Sequence, residues 1–389
     1  MDALLTSKTV KAKMKLRTKL AQIWTNTQLV LFPLLENKIG SLPENYKQLI
    51  SVLELIRIEE YMPDYSFYNG RPPKDRAFIA RAFIAKIILK ITFTKQLVNL
   101  LESDVKLKEI CGWESFQRIP SESKFSRVFA EFSDIGLPDI VHQKIVSEFY
   151  ESVLIENLVC DSTSIKSREK PLKKKGSYKE RKNIANKRYL REKKGEKSRK
   201  QKQISQNLHE MLDELPKECD FGAKKGSNGF KMTWKGHKLH VAVDDNAIPI
   251  SAILTSASLN DCEVAIPLLK KVSKSARHLY CLFDSAYDVK ELKEFANIMG
   301  TVAIIDEHAR SKKQKEEKQA EKLARKTFKL ETAKDRRYKQ RFSKERFNGS
   351  FKDFYGGNNI FYKGHKKIFC NSMFGILAYT AICLLNLVN

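Results

Sequence analysis

The segment YKQRFSKERFNGSFK, residues 338–352, places one carboxylate among five cationic side chains and three phenylalanines. Read as one helix at about 100° per residue, it brings four polar residues within about 60° of one face. These residues are Tyr338, Arg341, Glu345 and Lys352. A single acid on a cationic face is explained if the acid holds a metal ion while its neighbours hold phosphate. The plainer alternative is a salt bridge within the helix between Glu345 and Arg341.

Two aspartates follow apolar runs that read as buried strands. LVCDSTSI predicts a short strand that ends near Asp161, and HLYCLFD predicts a strand with Asp284 at its end. Carboxylates in such places are costly unless they are paired or bound to a cation. A lone aspartate there is more often a cap or turn residue, but three acids from separate elements can together hold two Mg²⁺ ions across a phosphate. We therefore expect a metal site made of Asp161, Asp284 and Glu345.

The charge is unbalanced and clustered. Lys and Arg number 72 and Asp and Glu 46, so the net charge is 72 − 46 = +26, and residues 166–202 alone hold 18 basic and 4 acidic side chains. Such a run predicts a surface loop that follows a phosphate backbone without reading sequence, and it makes nucleic acid the expected partner. The DNA-binding candidates in it are Lys173, Lys174, Lys175, Arg181 and Lys182.

The period of the apolar residues divides the chain in two. Residues 1–150 predict a mostly helical domain that either reads DNA ends or serves dimerisation and packing, and residues 151–389 predict an α/β domain with a basic insertion at about 166–230. The turn at Asp244–Asn246 predicts a hairpin, and Asp261 is expected to cap the helix that follows. The uncharged stretch 368–389 predicts a buried terminal helix rather than a membrane span, so we expect a soluble cytoplasmic protein.

These residues resemble a known family. The spacing Tyr338-x2-Arg341-x3-Glu345-x6-Lys352 resembles the Y-R-E-K signature of one large branch of bacterial insertion-sequence transposases of the DDE type. WKGHKLHVAVDDNAIPISAILTSASLNDCEVAIPLL, residues 234–269, looks like that family's central block, a G-x-K-x-H strand pair followed by a helix whose start carries an aspartate. Residues 91–129 are similar to the helical domain that precedes catalysis in many members.

The resemblance implies a ribonuclease H-like core, a mixed sheet flanked by helices, preceded by the helical domain. It makes Asp161, Asp284 and Glu345 the catalytic acids and the ligands of Mg²⁺ or Mn²⁺, with the first two acids on adjacent strands. Arg341 and Lys352 then hold DNA phosphates, and Tyr338 stacks on a base or sugar. The terminal apolar segment becomes a core helix packed on the sheet.

The same resemblance implies a DNA transposase near the bacterial nucleoid. It would bind terminal inverted repeats and target DNA as a homodimer or a higher synaptic oligomer, and transfer 3′ ends by two-metal phosphoryl transfer. Two alternatives stay open: a metal-dependent nuclease on the same fold, and a non-catalytic DNA-binding derivative.

Two other chemistries are less favoured by the residues. Zinc held by His237, His240 and Cys219 is disfavoured because the two histidines point to opposite faces of a strand. A covalent link to DNA through Tyr338 or Tyr287 explains fewer residues than the three acids do. No phosphate loop of the G-x-x-x-x-G-K-[ST] type is present, which disfavours an ATP-driven motor.

Overall fold

The structure, a computed structural model, describes residues 16–63, 76–171, 194–195, 197–225, 229–306, 311–328 and 332–388. The chain forms two compact units. The helical unit comprises Met1–Leu154 and Phe347–Asn389, and the sheet unit comprises Ile155–Arg346. The sequence led us to expect one boundary at residue 150; the units change near that point and again at 346, so the C-terminal 43 residues group with the N-terminal helices.

The helical unit contains short helices joined by turns. Residues 16–26 are helical and continue through a π-helical turn, Thr27–Leu31. The helices that follow are α1 (Phe32–Ile39), α2 (Glu44–Ile56), α3 (Arg76–Ile88), α4 (Thr94–Ser103), α5 (Val105–Cys111), α6 (Glu122–Ile135) and α7 (Leu137–Tyr150). The predicted helical N-terminal region is confirmed.

Phe83 of α3 lies at the centre of an aromatic core in this unit. Its ring centroid is 4.9 Å from that of Phe129 and 5.9 Å from that of Phe125, both on α6. Phe374 lies 5.7 Å from Phe83 and 6.3 Å from Phe129, so the three rings contact one another. Large rings that meet at tilted or edge-on angles bury much apolar area and add a specific aromatic contribution, so this cluster holds α3 against α6.

The terminal apolar helix, α15 (His365–Leu385), is buried as the sequence predicts. Within the part of the chain that the structure describes, α15 is long and apolar enough to cross a membrane, but most of its side chains are covered by protein. Its main contacts are with α2, α3, α6 and α7, and His142 of α7 meets Thr380 at 3.2 Å. The apolar residues of α15 lie all around its circumference, as in a helix that is buried on every side. Its packing on the sheet, which the resemblance implies, stays a prediction.

The sheet unit is built on one mixed sheet. Its strands are β1 (Leu154–Lys166), β2 (Asp220–Lys225), β3 (Lys231–Val243), β4 (Pro249–Ser256), β5 (Arg277–Phe283) and β6 (Val302–Ile305). The order is β2-β3-β1-β5-β6, with β4 paired to β3. β3 is antiparallel to β1, β2 and β4, whereas β5 and β6 are parallel. The predicted mixed sheet flanked by helices, fitting a ribonuclease H-like core, is confirmed.

Helices connect and follow these strands. They are α8 (Arg199–Gln203), α9 (Leu208–Glu214), α10 (Ala265–Val272), α11 (Lys290–Ile298), α12 (Lys312–Thr327), α13 (Ala333–Lys339) and α14 (Phe342–Phe354). The predicted hairpin joins β3 to β4, and Asp244 closes its turn by accepting backbone bonds from Asn246 at 2.9 Å and Ile248 at 2.7 Å. The unit boundary at Arg346 falls inside α14.

Candidate active site

Asp161 lies within β1 and not at its end. The strand continues to Lys166, and Asp161 pairs with Val241 of β3. The prediction that the strand stops near Asp161 is wrong, because the polar residues after it still alternate toward the two faces of an antiparallel ladder. The carboxylate is half-buried, and its Oδ1 accepts from the backbone N–H of Ser162 at 2.7 Å.

Asp284 follows β5 directly, as predicted, and β5 is the neighbour of β1 in the sheet. Its Oδ1 accepts from the backbone N–H of Ala286 at 2.9 Å, so the side chain caps the 3₁₀ turn Ser285–Tyr287. Two aspartates from adjacent strands thus occupy one region of the sheet, which the resemblance implied.

The two carboxylates act on each other electrostatically. Burial raises the pKa of Asp284, and the negative charge of Asp161 raises it further. The backbone bond from Ala286 and the charge of Arg341 lower it. Like charges on a partly buried pair are unfavourable, and a cation between them would relieve the repulsion. The chemistry of the pair therefore fits a hard divalent cation.

Asp261 is a third acid in this region, which the sequence predicts only as a helix cap. It accepts from the ammonium of Lys238 at 3.0 Å, and Lys238 also donates to the carbonyl of Leu259 at 2.8 Å. Its charge raises the pKa of Asp284. The prediction that Asp261 caps a helix is wrong, because its side chain makes no capping bond and α10 begins only at Ala265. The sequence does contain an indication of this contact, because a lysine on an inner strand such as β3 needs a polar partner for its ammonium.

His237 and His240 on β3 have different partners. His240 Nε2 meets Thr255 Oγ1 at 2.9 Å, and burial lowers the pKa of His240 to about 3. His237 lies 3.8 Å from Glu169, and the Cys219 thiol contacts the carbonyl of Glu169. The two imidazoles therefore serve separate contacts, in keeping with the opposite faces that the sequence predicts.

The signature segment forms two helices, so the prediction of one continuous helix is wrong. α13 ends at Lys339, Gln340 and Arg341 form a turn, and α14 begins at Phe342. The backbone bonds from Gln340 to Arg337 and from Arg341 to Tyr338 span three residues and tighten the chain. The four polar residues therefore do not share a face of one helix.

Tyr338 and Arg341 still meet across this turn. Arg341 Nη1 donates to the Tyr338 hydroxyl at 2.5 Å, and the guanidinium carbon lies 5.1 Å from the ring centroid. Because the charge of Arg341 also lowers the pKa of Asp284, the guanidinium is near the acidic pair. Its planar fork is suited to a phosphate.

Glu345 lies in the first turn of α14 with an exposed side chain. Among the described residues it makes no hydrogen bond or ion pair, so the alternative of a salt bridge with Arg341 is not realised. The preceding residue, Lys344, is buried, and its charge lowers the pKa of both Cys160 and His240. The start of α14 is therefore near the residue that precedes Asp161.

Within the ranges that the structure describes, no three His, Cys, Asp or Glu side chains are grouped so that they could hold one metal ion. Asp161 lies near enough to Asp284 for its charge to raise the pKa of Asp284, and Glu345 is not grouped with them. Lys352 lies two turns beyond Glu345 on α14, in the part assigned to the helical unit.

Tyr287, the candidate for a covalent link to DNA, is fully buried. Burial and the charges of Asp261, Asp161 and Asp284 raise its pKa, which disfavours it as a nucleophile. The basic candidates of the insertion lie outside the described residues: Lys173, Lys174, Lys175, Arg181 and Lys182.

Comparison with known families agrees with this geometry. Residues 155–381 match the family described as Transposase DDE domain, and residues 35–131 match the family described as Transposase domain (DUF772). No curated protein and no solved structure matches the chain. The first match spans more than half of the chain and contains Asp161, Asp284 and Glu345. The chain therefore belongs to the DDE transposases and is a DNA-binding enzyme that cleaves and transfers DNA.

Proposed function

We propose that this transposase uses Asp161, Asp284 and Glu345 to hold Mg²⁺ or Mn²⁺ while it cuts the ends of its element and joins the 3′ ends to target DNA. One observation carries the proposal: Asp161 lies on β1 and Asp284 directly follows the neighbouring strand β5, where burial and then the charge of Asp161 raise the pKa of Asp284. A divalent cation there would neutralise both carboxylates. Divalent cations bound there would activate the attacking water or 3′-hydroxyl and stabilise the leaving oxygen.

Glu345 is the proposed third acid. It is exposed and without a partner among the described residues, so its carboxylate is available at no cost in broken contacts. The burial of Lys344 and its effect on Cys160 support a position for the start of α14 close to Asp161. An adjustment of this first helical turn on binding DNA would add Glu345 to the pair.

Arg341 and Tyr338 are proposed to position the scissile strand. The hydroxyl of Tyr338 orients the guanidinium through a bond of 2.5 Å, and the remaining N–H groups of Arg341 can fork onto a phosphate. Lys352 would add a point charge to the DNA backbone, and the lysine-rich insertion with Lys173–Lys175, Arg181 and Lys182 would follow it without reading sequence.

The assembly is proposed to be a homodimer or a higher oligomer that pairs two inverted-repeat ends, acting at the bacterial nucleoid. The resemblance to the Y-R-E-K branch supports this, because the spacing of the signature is present in the chain although the helix is broken within it.

The test is a cleavage and joining assay with a labelled inverted-repeat end, a target plasmid and Mg²⁺. Asp161→Asn, Asp284→Asn and Glu345→Gln should each lose cleavage and joining by at least 10³-fold while DNA binding stays within about threefold. The matched control is Glu294→Gln, another exposed helical glutamate of the same unit, which should keep full activity.

Each outcome distinguishes the hypotheses. Joined product supports the transposase mechanism, and cleavage that never yields joined product supports the nuclease alternative. Turnover that survives Glu345→Gln removes that residue from the site, and binding without any cleavage supports a non-catalytic derivative.

A further inference from the structure

A small polar cavity lies in the helical unit. It is enclosed by the end of α3, the loop that follows it, the end of α14 and one side chain of α15. Its polar lining residues are Lys86, Lys90, Thr92, Asp353, Asn359 and Asn371. The volume of about 30 Å³ has room for one or two small atoms, such as a phosphate oxygen, and excludes a base or a nucleoside.

Lys86 is a buried cation in this lining. Only 6% of the residue is exposed, and burial lowers its pKa to about 8, so at neutral pH most molecules carry the charge. The ammonium lies 5.3 Å from the ring centroid of Tyr362, and no carboxylate among the described residues forms an ion pair with it. A buried ammonium without an anion is costly, and the cavity beside it is where an anion would be bound.

Lys90 is held beside the same cavity by an unusual backbone conformation. Its φ is 55°, the left-handed region, just after α3 ends. The bonds from Ile91 N–H to the Lys86 carbonyl at 2.8 Å and from Lys90 N–H to Ile87 at 3.0 Å close the helix in a way that favours glycine. The chain has a lysine there instead, and its ammonium lies 4.5 Å from the ring centroid of Phe354, another cavity residue.

The lining therefore offers two ammonium groups, a hydroxyl and two amides, against one carboxylate. Asp353 is exposed. Lys86, Lys90 and Asp353 together give the lining two positive charges and one negative charge, a net +1. The nitrogen donors and the hydroxyl are the groups that proteins use for phosphate oxygens. The cavity has no room to read a base.

We propose that this cavity receives an oxygen of a DNA backbone phosphate that rests at its mouth, as a sequence-independent anchor on the helical unit. DNA is the source of the phosphate because the chain is a DNA transposase, and the proposal does not depend on which acids catalyse cleavage. It gives the helical unit a defined phosphate contact of its own.

The test is DNA binding by fluorescence anisotropy, with a labelled duplex in EDTA so that no cleavage occurs, over 50 to 200 mM KCl. Lys86→Met should reduce the slope of log K against log salt by about 0.9, so that the loss of affinity is about 3.5-fold greater at 50 mM than at 200 mM. Lys90→Gly should do the same although glycine suits its backbone, and its unfolding midpoint should equal or exceed that of the wild type. Lys95→Met removes an exposed lysine outside the cavity and should leave the slope unchanged.

A second measurement identifies the source of the phosphate. Unfolding midpoints are recorded with inorganic phosphate and with chloride at equal ionic strength. Three results overturn the proposal. The first is an unchanged salt slope in both cavity variants, which leaves the lysines as caps of the α3 terminus. The second is stabilisation by inorganic phosphate with unaltered DNA binding, which makes the cavity a site for free anions only. An equal loss of slope in Lys95→Met would also overturn it, since the effect would then belong to a general basic surface.

Discussion

Replacement of Gly236 by alanine tests the ladder between β1 and β3 that places Asp161 inside a strand. Gly236 has a φ of 150° and pairs with Lys166. A Cβ there would lie 2.0 Å from the carbonyl oxygen of Ile165 and 2.8 Å from the nitrogen of Ser167. Contacts under 3.0 Å are essentially never seen for a real Cβ, so backbone atoms must move by about 1 Å.

The cost can be worked from the contacts that this movement breaks. The bond from Ser167 N–H to the Lys235 carbonyl, 3.0 Å, is lost, which costs about 1 kcal/mol. An alanine held at a positive φ adds about 1–3 kcal/mol. Gly236→Ala should therefore lower the free energy of unfolding by about 2–4 kcal/mol.

The assay is denaturant unfolding of the metal-free protein, with Gly300→Ala as the matched control. Gly300 also has a positive φ, 69°, but nothing lies within 4 Å of its added Cβ, so its replacement should cost only about 1 kcal/mol. Equal losses for the two variants would refute the reasoning, because β1 would then not run past Asp161 to the pairing of Lys166 with Gly236.

Three further predictions concern the site and the core. The pKa of Asp284 is raised in the folded protein, so the ionised carboxylate destabilises the fold, and stability is lost as the pH rises through that pKa. Asp284→Asn should therefore raise the unfolding midpoint in EDTA at pH 7 to 8. The gain should vanish near pH 3, where the wild-type carboxyl is protonated. Phe347→Ala should cost about 3–5 kcal/mol in denaturant unfolding, because the buried ring lies 5.5 Å from Phe351 and 5.3 Å from Tyr379; a loss below 1 kcal/mol would contradict this packing. Arg341→Lys should slow DNA cleavage about tenfold with an unchanged midpoint, since an ammonium cannot fork onto phosphate, and an unaltered rate would exclude Arg341 from the reaction.

The sequence was most informative where local chemistry agrees with tertiary structure. Asp284 could be placed at a strand end because an apolar run and a turn meet there, and the hairpin at Asp244 follows from turn residues that bond their own backbone. The burial of α15 could be predicted from an uncharged run too polar in places for a membrane. Its helical partners could not be predicted, because they are more than 200 residues away in the sequence and the periodicity of one segment says nothing about its partners.

Other features could not be read from local pattern. The strand continues past Asp161 because β3 pairs with it, and that partner lies about 80 residues away. The residues on both sides of Gln340 have helical spacing, so the spacing alone predicts one helix where the structure has two. The contact of Asp261 with Lys238 could not be predicted because Lys238 is on β3, and only the fold brings the two side chains together.

Mn²⁺ binding to the DNA-bound protein tests the central claim most directly. Electron paramagnetic resonance can count tightly bound Mn²⁺ in the wild type and in Asp161→Asn, Asp284→Asn and Glu345→Gln, with Glu294→Gln as the control. We expect the wild type and the control to bind up to two ions per protomer, and each of the three other variants to lose at least one. Equal Mn²⁺ binding in all five proteins would contradict the assignment of these acids as metal ligands.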